Sequence, residues 1–147
     1  LGRRGAGGDA RYAYARLHPG VAIERANAET MLVVQVESRK GLEAIDEIAA
    51  VPGVDVVLIG PQDLSISLGI PGQSSHPDFI AAVQHVIEAC QRHGIAAGHV
   101  EREASALQRW HELGARFLCC NTDANMLFQA AQRDVATVRA FLGAGAS

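Results

Sequence analysis

The sequence predicts an α/β fold built on a parallel sheet. Apolar, β-branched runs alternate with stretches of helical periodicity, glycine and proline fall between them, and the connections are short. Alternation of this kind gives parallel strands joined by right-handed crossovers. An open doubly wound sheet and part of a (β/α)8 barrel share that order. A full barrel takes roughly 250 residues, and this chain has 147. No glycine-rich dinucleotide fingerprint follows the first strand, which counts against a dinucleotide-binding sheet.

The elements follow in order. Residues 2–8 are rich in glycine and arginine, a turn able to approach an anion; no Lys-Ser or Lys-Thr follows, so it is not a P-loop. A helix is expected over 10–17, a break at "HPG" (18–20), and a short helix over 21–28. "MLVVQVE" (31–37) reads as a strand buried on both faces. "KGLEAIDEIAAV" (40–51) spaces Leu42, Ile45 and Ile48 as one helical stripe, ended by Pro52-Gly53. "VDVVLIG" (54–60) is the second strand. The helix that opens at Pro77 carries Phe79, Ile80, Val83, Val86, Ile87 and Cys90 on one face and stops at Gly94. "IAAGHV" (95–100) is a third strand, and the helix after it ends at Gly114. "RFLCCN" (116–121) is the fourth strand. A last helix is capped by Thr122 or Asp123.

Composition narrows the class. Apolar residues make up 48% of the chain and charged residues 20%, enough to bury a core. The net charge of −3 and the lack of a basic stripe argue against nucleic acid as a partner. No apolar run approaches the roughly 20 residues of a membrane span. The first residues lack the apolar core of a signal peptide. Cys90, Cys119 and Cys120 sit in apolar surroundings without CxxC spacing, and read as reduced core residues of a cytosolic protein.

Two strand-like runs end in carboxylates: "VVQVES" in Glu37 and "VVLIGPQDLS" in Asp63. Alternate side chains of a strand share a face, so Gln35 and Glu37 point one way and Val34 and Val36 the other. Parallel α/β proteins place their active sites at the C-terminal strand ends. Two carboxylates brought close there need a shared proton, a basic neighbour or a divalent cation to offset their repulsion. Mg2+ takes few protein carboxylates and leaves positions open for substrate. The alternative is structural: Glu37 capping a turn, and Asp63 capping the short helical turn "DLSISLG". His99, on the third strand, suits a polar core or mouth position as well as a ligand role. His18, His76, His85, His93 and His111 read as loop or helix-surface residues, and Trp110 as core. No G-x-S-x-G supports a hydrolase nucleophile.

Taken together, "LGRRGAGG" and "ANAETMLVVQVESRKGLEAIDEIAAVPGVDVVLIGPQDLSISLGIPGQSSHPDF" resemble the HpcH/HpaI aldolases, the metal-dependent class II pyruvate aldolases. Members act on 4-hydroxy-2-oxoheptanedioate and 2-dehydro-3-deoxyglucarate. "GARF" and a following Asp near the end support the resemblance, which runs over nearly the whole chain. It implies a (β/α)8 barrel, assembled as a homohexamer with the last helix exchanged between subunits. It implies that Glu37 and Asp63 ligate a divalent metal (Mg2+, Mn2+ or Co2+), that Gln35 contacts the substrate, and that the backbone around Gln62 and Asp63 holds the keto acid. The implied reaction is carbon–carbon cleavage or formation between pyruvate and an aldehyde, through an enolate stabilised by the metal. A Schiff-base lysine is not implied, and Lys40, the only lysine, falls at a helix start.

The resemblance also implies that the family's catalytic base histidine, its partner aspartate and its transition-state arginine belong to the first half of the barrel, so no catalytic residue is expected in this chain. Residues 1–147 then form the C-terminal part of one barrel domain, with a lead-in over 1–29 and four βα units over 30–147. Asn121 stands where relatives commonly carry glycine. Other outcomes are a non-catalytic remnant that binds metal and keto acid, a citrate lyase β-like enzyme acting on CoA esters, and an assembly module. A half-barrel leaves strand edges unpaired and interior side chains wetted. The expectation is that the 147-residue chain alone self-associates or is poorly stable; sedimentation showing a monomer that unfolds cooperatively would contradict it.

Overall fold

The computed structural model describes residues 17–143. The glycine–arginine stretch at 2–8 and nearly all of the expected helix at 10–17 lie outside the described residues. The chain divides into two compact units, residues 1–32 and 33–147.

In the first unit, helix α1 spans Pro19–Glu29. The "HPG" stretch opens this helix, although its sequence suggests a break. Proline at the first helical position lacks only an N–H that would have no partner, and its φ is already helical. The His18 ring caps the start, its Nδ1 accepting from the Gly20 N–H at 3.3 Å. An Arg25–Glu29 ion pair of 2.8 Å supports the exposed face one turn apart.

The second unit runs β1 (Val33–Val36), α2 (Arg39–Glu43), α3 (Ile45–Ala49), β2 (Val56–Ile59), α4 (Pro61–Ser67), α5 (Pro77–Arg92), β3 (Ala96–Glu101), α6 (Ala104–Leu113), β4 (Phe117–Cys120) and α7 (Asp123–Phe141). All four strands are parallel, in the order β1-β2-β3-β4. The expected α/β fold with a parallel sheet is therefore present; the described residues form an open four-stranded sheet and not a closed barrel. Two expected elements differ. The helix over 40–51 is two short helices meeting at Ala44, which ends one and starts the other; Gly41 lowers helical stability in the first. Strand β1 starts at Val33, leaves Met31 and Leu32 half exposed, and buries one face only, since Gln35 is exposed and Val36 is buried.

Pairing sets the faces. Val36, Ile59, His99 and Leu118 are register partners across the sheet, as are Gln35, Leu58, Gly98 and Phe117. The first row lies on the helix-covered face. There Val36, Val57, Ile59 and Ala97 pack with Phe79, Val83, Val86, Ile87 and Cys90 of α5 and Trp110 of α6. The cover thins at β4, where Leu118 is 41% exposed. On the opposite face Leu58 and Phe117 close over Gly98, whose missing Cβ would lie 3.0 Å from Phe117 Cδ1 and 3.1 Å from Leu58 Cδ1. At the surface Arg92 of α5 clasps both carboxylate oxygens of Asp46 of α3 at 2.8 and 2.9 Å. That guanidinium holds the Asp46 carboxyl below its ordinary range.

Cys90 is buried, and burial pushes its thiol up to about 11. Cys119 is half buried, but Cys120 is exposed, a correction to its reading as core: it shares the helix-side face with Leu118, where the cover over this edge strand is thin. Thr122 caps α7, accepting from the Asn125 N–H at 3.3 Å. Helix α7 has no buried residue, and Leu127, Phe128 and Phe141 are largely exposed. Among the described residues no helix is long and apolar enough to cross a membrane.

His99 is fully buried and points to the helix layer, away from Gln35 and Glu37. Its ring stacks on Trp110 at 4.3 Å and meets Phe79 edge-on at 6.3 Å. Glu101 lies nearby, 3.7 Å from Nδ1, and accepts from Trp110 Nε1 at 2.7 Å. Burial lowers the His99 pKa from 6.5 to about 4. Between those values the unfolded chain holds the extra proton, so stability falls as pH drops from about 6.5 to about 4. Denaturant unfolding across that range should show the loss for the wild type, and His99→Phe, which keeps the stack, should flatten it.

Candidate functional site

The candidate site lies where β1 and β2 end. After Val36 the chain continues to Glu37 and turns into α2; after Ile59 it continues to Gly60 and turns into α4. The Gly60 N–H donates to the Val36 carbonyl at 3.1 Å and so extends the pairing one step beyond the strands. Gly60 is thereby held beside Glu37.

Alternation places Gln35 and Glu37 together, as the sequence spacing implies. The Gln35 side-chain amide donates to Glu37 Oε1 at 2.5 Å. Both side chains are exposed. The amide holds one carboxylate oxygen and leaves the other open to a ligand.

Helix α4 carries the second carboxylate. Pro61 starts it, Gln62 follows, and Asp63 lies in its first turn. The residue before a proline is steered away from the helical region, so Gly60 stays extended at φ −90°, ψ 95° and the helix starts after it. No side chain caps this helix start. Gln62 and Asp63 are exposed at the same end of the sheet as Glu37. Buried Ser65 braces the turn from below: its hydroxyl donates to the Gln62 carbonyl at 2.7 Å and accepts from the Gly72 N–H at 3.0 Å.

Neither carboxylate serves as a cap. Ser38 caps α2, its Oγ accepting from the Gly41 N–H at 3.1 Å, and Gly60 occupies the cap position of α4. The structural alternatives for Glu37 and Asp63 thus lose their premise. Two oxygen-donor side chains at neighbouring strand ends suit a hard cation that takes few protein ligands and keeps water. Among the described residues no group of three or more His, Cys, Asp or Glu side chains gathers as a closed metal cage. His99 faces the core and takes no part in the site. Lys40 is exposed in the first turn of α2.

Two features of the strand ends are not apparent from side-chain chemistry. Gly60 has no side chain to suggest a role, though counting one register step past the Val36–Ile59 pair places it against Glu37. Asn121, at the end of β4, adopts a left-handed conformation at φ 63°. Its Oδ1 accepts from the Thr122 N–H at 2.8 Å and from the Asn125 side chain. Glycine adopts that conformation without strain and asparagine tolerates it.

Comparison with known proteins identifies the scaffold. A family described as HpcH/HpaI aldolase/citrate lyase matches residues 6–130. A hydroxypyruvate/pyruvate aldolase of Sagittula stellata is 45% identical over 108 residues, which is 74% of this chain and 43% of that protein. A 5-keto-4-deoxy-D-glucarate aldolase of Shigella boydii is 35% identical over 109 residues, 74% of this chain and 42% of that protein. The crystal structure of an HpcH/HpaI aldolase from Desulfitobacterium hafniense superposes with a TM-score of 0.79 at 34% identity, over 95% of this chain and 54% of that one. The chain therefore spans about half the length of the relatives it matches.

Ser65→Ala should leave the Gly72 N–H without its partner and release the Gln62 carbonyl. The expected cost is about 1–3 kcal/mol, read as a lower midpoint of denaturant unfolding.

Proposed function

Since the chain belongs to the HpcH/HpaI aldolase/citrate lyase family, we propose that it is the later part of a (β/α)8-barrel aldolase and contributes the metal- and keto-acid-binding half of the active site. The observation that carries this is that Glu37 directly follows β1 and Asp63 lies in the first turn of α4, just after the neighbouring β2, both exposed and neither capping a helix.

Glu37 and Asp63 would hold a divalent cation, Mg2+, Mn2+ or Co2+. When bound, such a cation supplies a Lewis acid beside the oxygens of a 2-keto acid. Gln35 orients Glu37 through its amide and lies on the face from which substrate would approach. Beside them, the backbone at Gln62 and Asp63 would meet the keto acid's carboxylate with donors that no side chain caps. The proposed reaction is reversible cleavage of a 4-hydroxy-2-oxo acid: the C3–C4 bond breaks, the C4 hydroxyl loses its proton as the aldehyde forms, and C3 takes a proton to give pyruvate. The base and acid for those transfers would come from the other half of the barrel. The exposed apolar side chains of α7 support an assembled protein, and a homohexamer is the proposed state.

The test uses the full-length protein with a racemic 4-hydroxy-2-oxo acid and coupled detection of pyruvate. Activity should vanish with EDTA and return with Mn2+. Glu37→Gln and Asp63→Asn should each lower kcat/KM by about 10²-fold or more. Cleavage of a citramalyl- or citryl-CoA-type ester in place of the hydroxy-oxo acid would instead assign the CoA-ester branch of the family. Metal-dependent pyruvate binding without turnover would assign a non-catalytic remnant.

A further inference from the structure

We propose that Gly60 is a positioning residue: the space left by its missing Cβ is where the Gln35–Glu37 pair sits, and the cation affinity of the site depends on that space. The inference rests on the reading of Glu37 as a metal ligand.

Backbone conformation does not call for glycine here. Gly60 has φ −90° and ψ 95°, which any L residue adopts. Gly53, Gly69, Gly72 and Gly94 are the opposite case: each has a positive φ, and an added Cβ would meet nothing within 4 Å. At Gly60 the constraint is space. An added Cβ would stand 2.6 Å from Gln35 Nε2, 2.6 Å from Glu37 Oε1 and 2.7 Å from Glu37 Cγ. Carbon contacts are comfortable at about 3.5–4.0 Å.

The conflict cannot be relieved at the tips alone. Glu37 Cγ is one bond beyond Cβ, so moving it means a new χ1 rotamer that turns the carboxylate away from its present place. Nor is the Gly60 backbone free to retreat. Its N–H is bonded to the Val36 carbonyl at 3.1 Å, and its carbonyl accepts from the Leu64 N–H at 3.0 Å. One bond belongs to the sheet and the other to the first turn of α4. Any side chain at this position therefore displaces the carboxylate, breaks its bond to the Gln35 amide, or both.

The test titrates Mn2+ into full-length wild type, Gly60→Ala and Glu37→Gln, reading free Mn2+ by electron paramagnetic resonance, with thermal melting in parallel. Gly60→Ala should weaken Mn2+ binding about 10- to 100-fold, the usual effect of disturbing the groups that orient a ligand. Wild-type affinity in folded Gly60→Ala overturns the proposal. Melting of Gly60→Ala is also measured in a Gln35→Ala/Glu37→Ala background, where the added methyl meets neither side chain. A penalty present in wild type and absent in that background supports the proposal, even if Gly60→Ala alone fails to fold. An equal penalty in both overturns it. Unchanged Mn2+ affinity in Glu37→Gln would refute the ligand reading by itself, leaving the melting comparison to decide whether Gly60 makes room for the pair.

Discussion

Side chains on a parallel strand alternate between faces, and in this sheet the alternation separates the buried core from the exposed Gln35–Glu37 pair. The Val36–Ile59–His99 row faces α5 and α6 and is buried. The Gln35–Leu58–Gly98–Phe117 row faces the other way. A slip of one residue in β1 would send Gln35 and Glu37 into the core and Val36 into water. The cost of burying an amide and a carboxylate among Phe79, Val83 and Trp110 makes that register untenable. The core of one face thus fixes the position of the polar groups on the other.

The same pairing explains why the end of β2 matters more than its composition suggests. The register extends one step beyond the strands through the Gly60 N–H, so whatever stands at position 60 stands against Glu37. A proline follows, which keeps residue 60 extended and starts the helix that presents Asp63. Strand end, glycine, proline and carboxylate form one mechanical unit. Ser65 anchors its far side through the Gln62 carbonyl and the Gly72 N–H.

Much of this was legible in the residues. The period-two pattern of "VVQVE" placed Gln35 and Glu37 on one face, and the apolar stripe of α5 marked Phe79, Val83, Val86 and Cys90 for burial. Trp110 was expected in the core and lies there. Less legible was anything set by long-range pairing. His99 left its role open because a lone histidine on a strand carries no face label until its neighbours are known; stacking on Trp110 supplies it. Cys120 read as core from its apolar neighbours, whereas an edge strand with little cover leaves it exposed. "HPG" signals both a helix stop and a helix start, and only the histidine cap distinguishes them. Gly60 was invisible because its contribution is an absent atom, which has meaning only once the register brings Glu37 beside it.

Everything proposed for this chain turns on Glu37 and Asp63 holding one divalent cation between them. Crystals of the full-length protein grown with Mn2+, measured at a wavelength where manganese scatters anomalously, test it directly. One anomalous peak is expected, bonded at about 2.1 Å to a carboxylate oxygen of each residue. A peak that touches neither carboxylate, or no peak at these strand ends at saturating Mn2+, would contradict it.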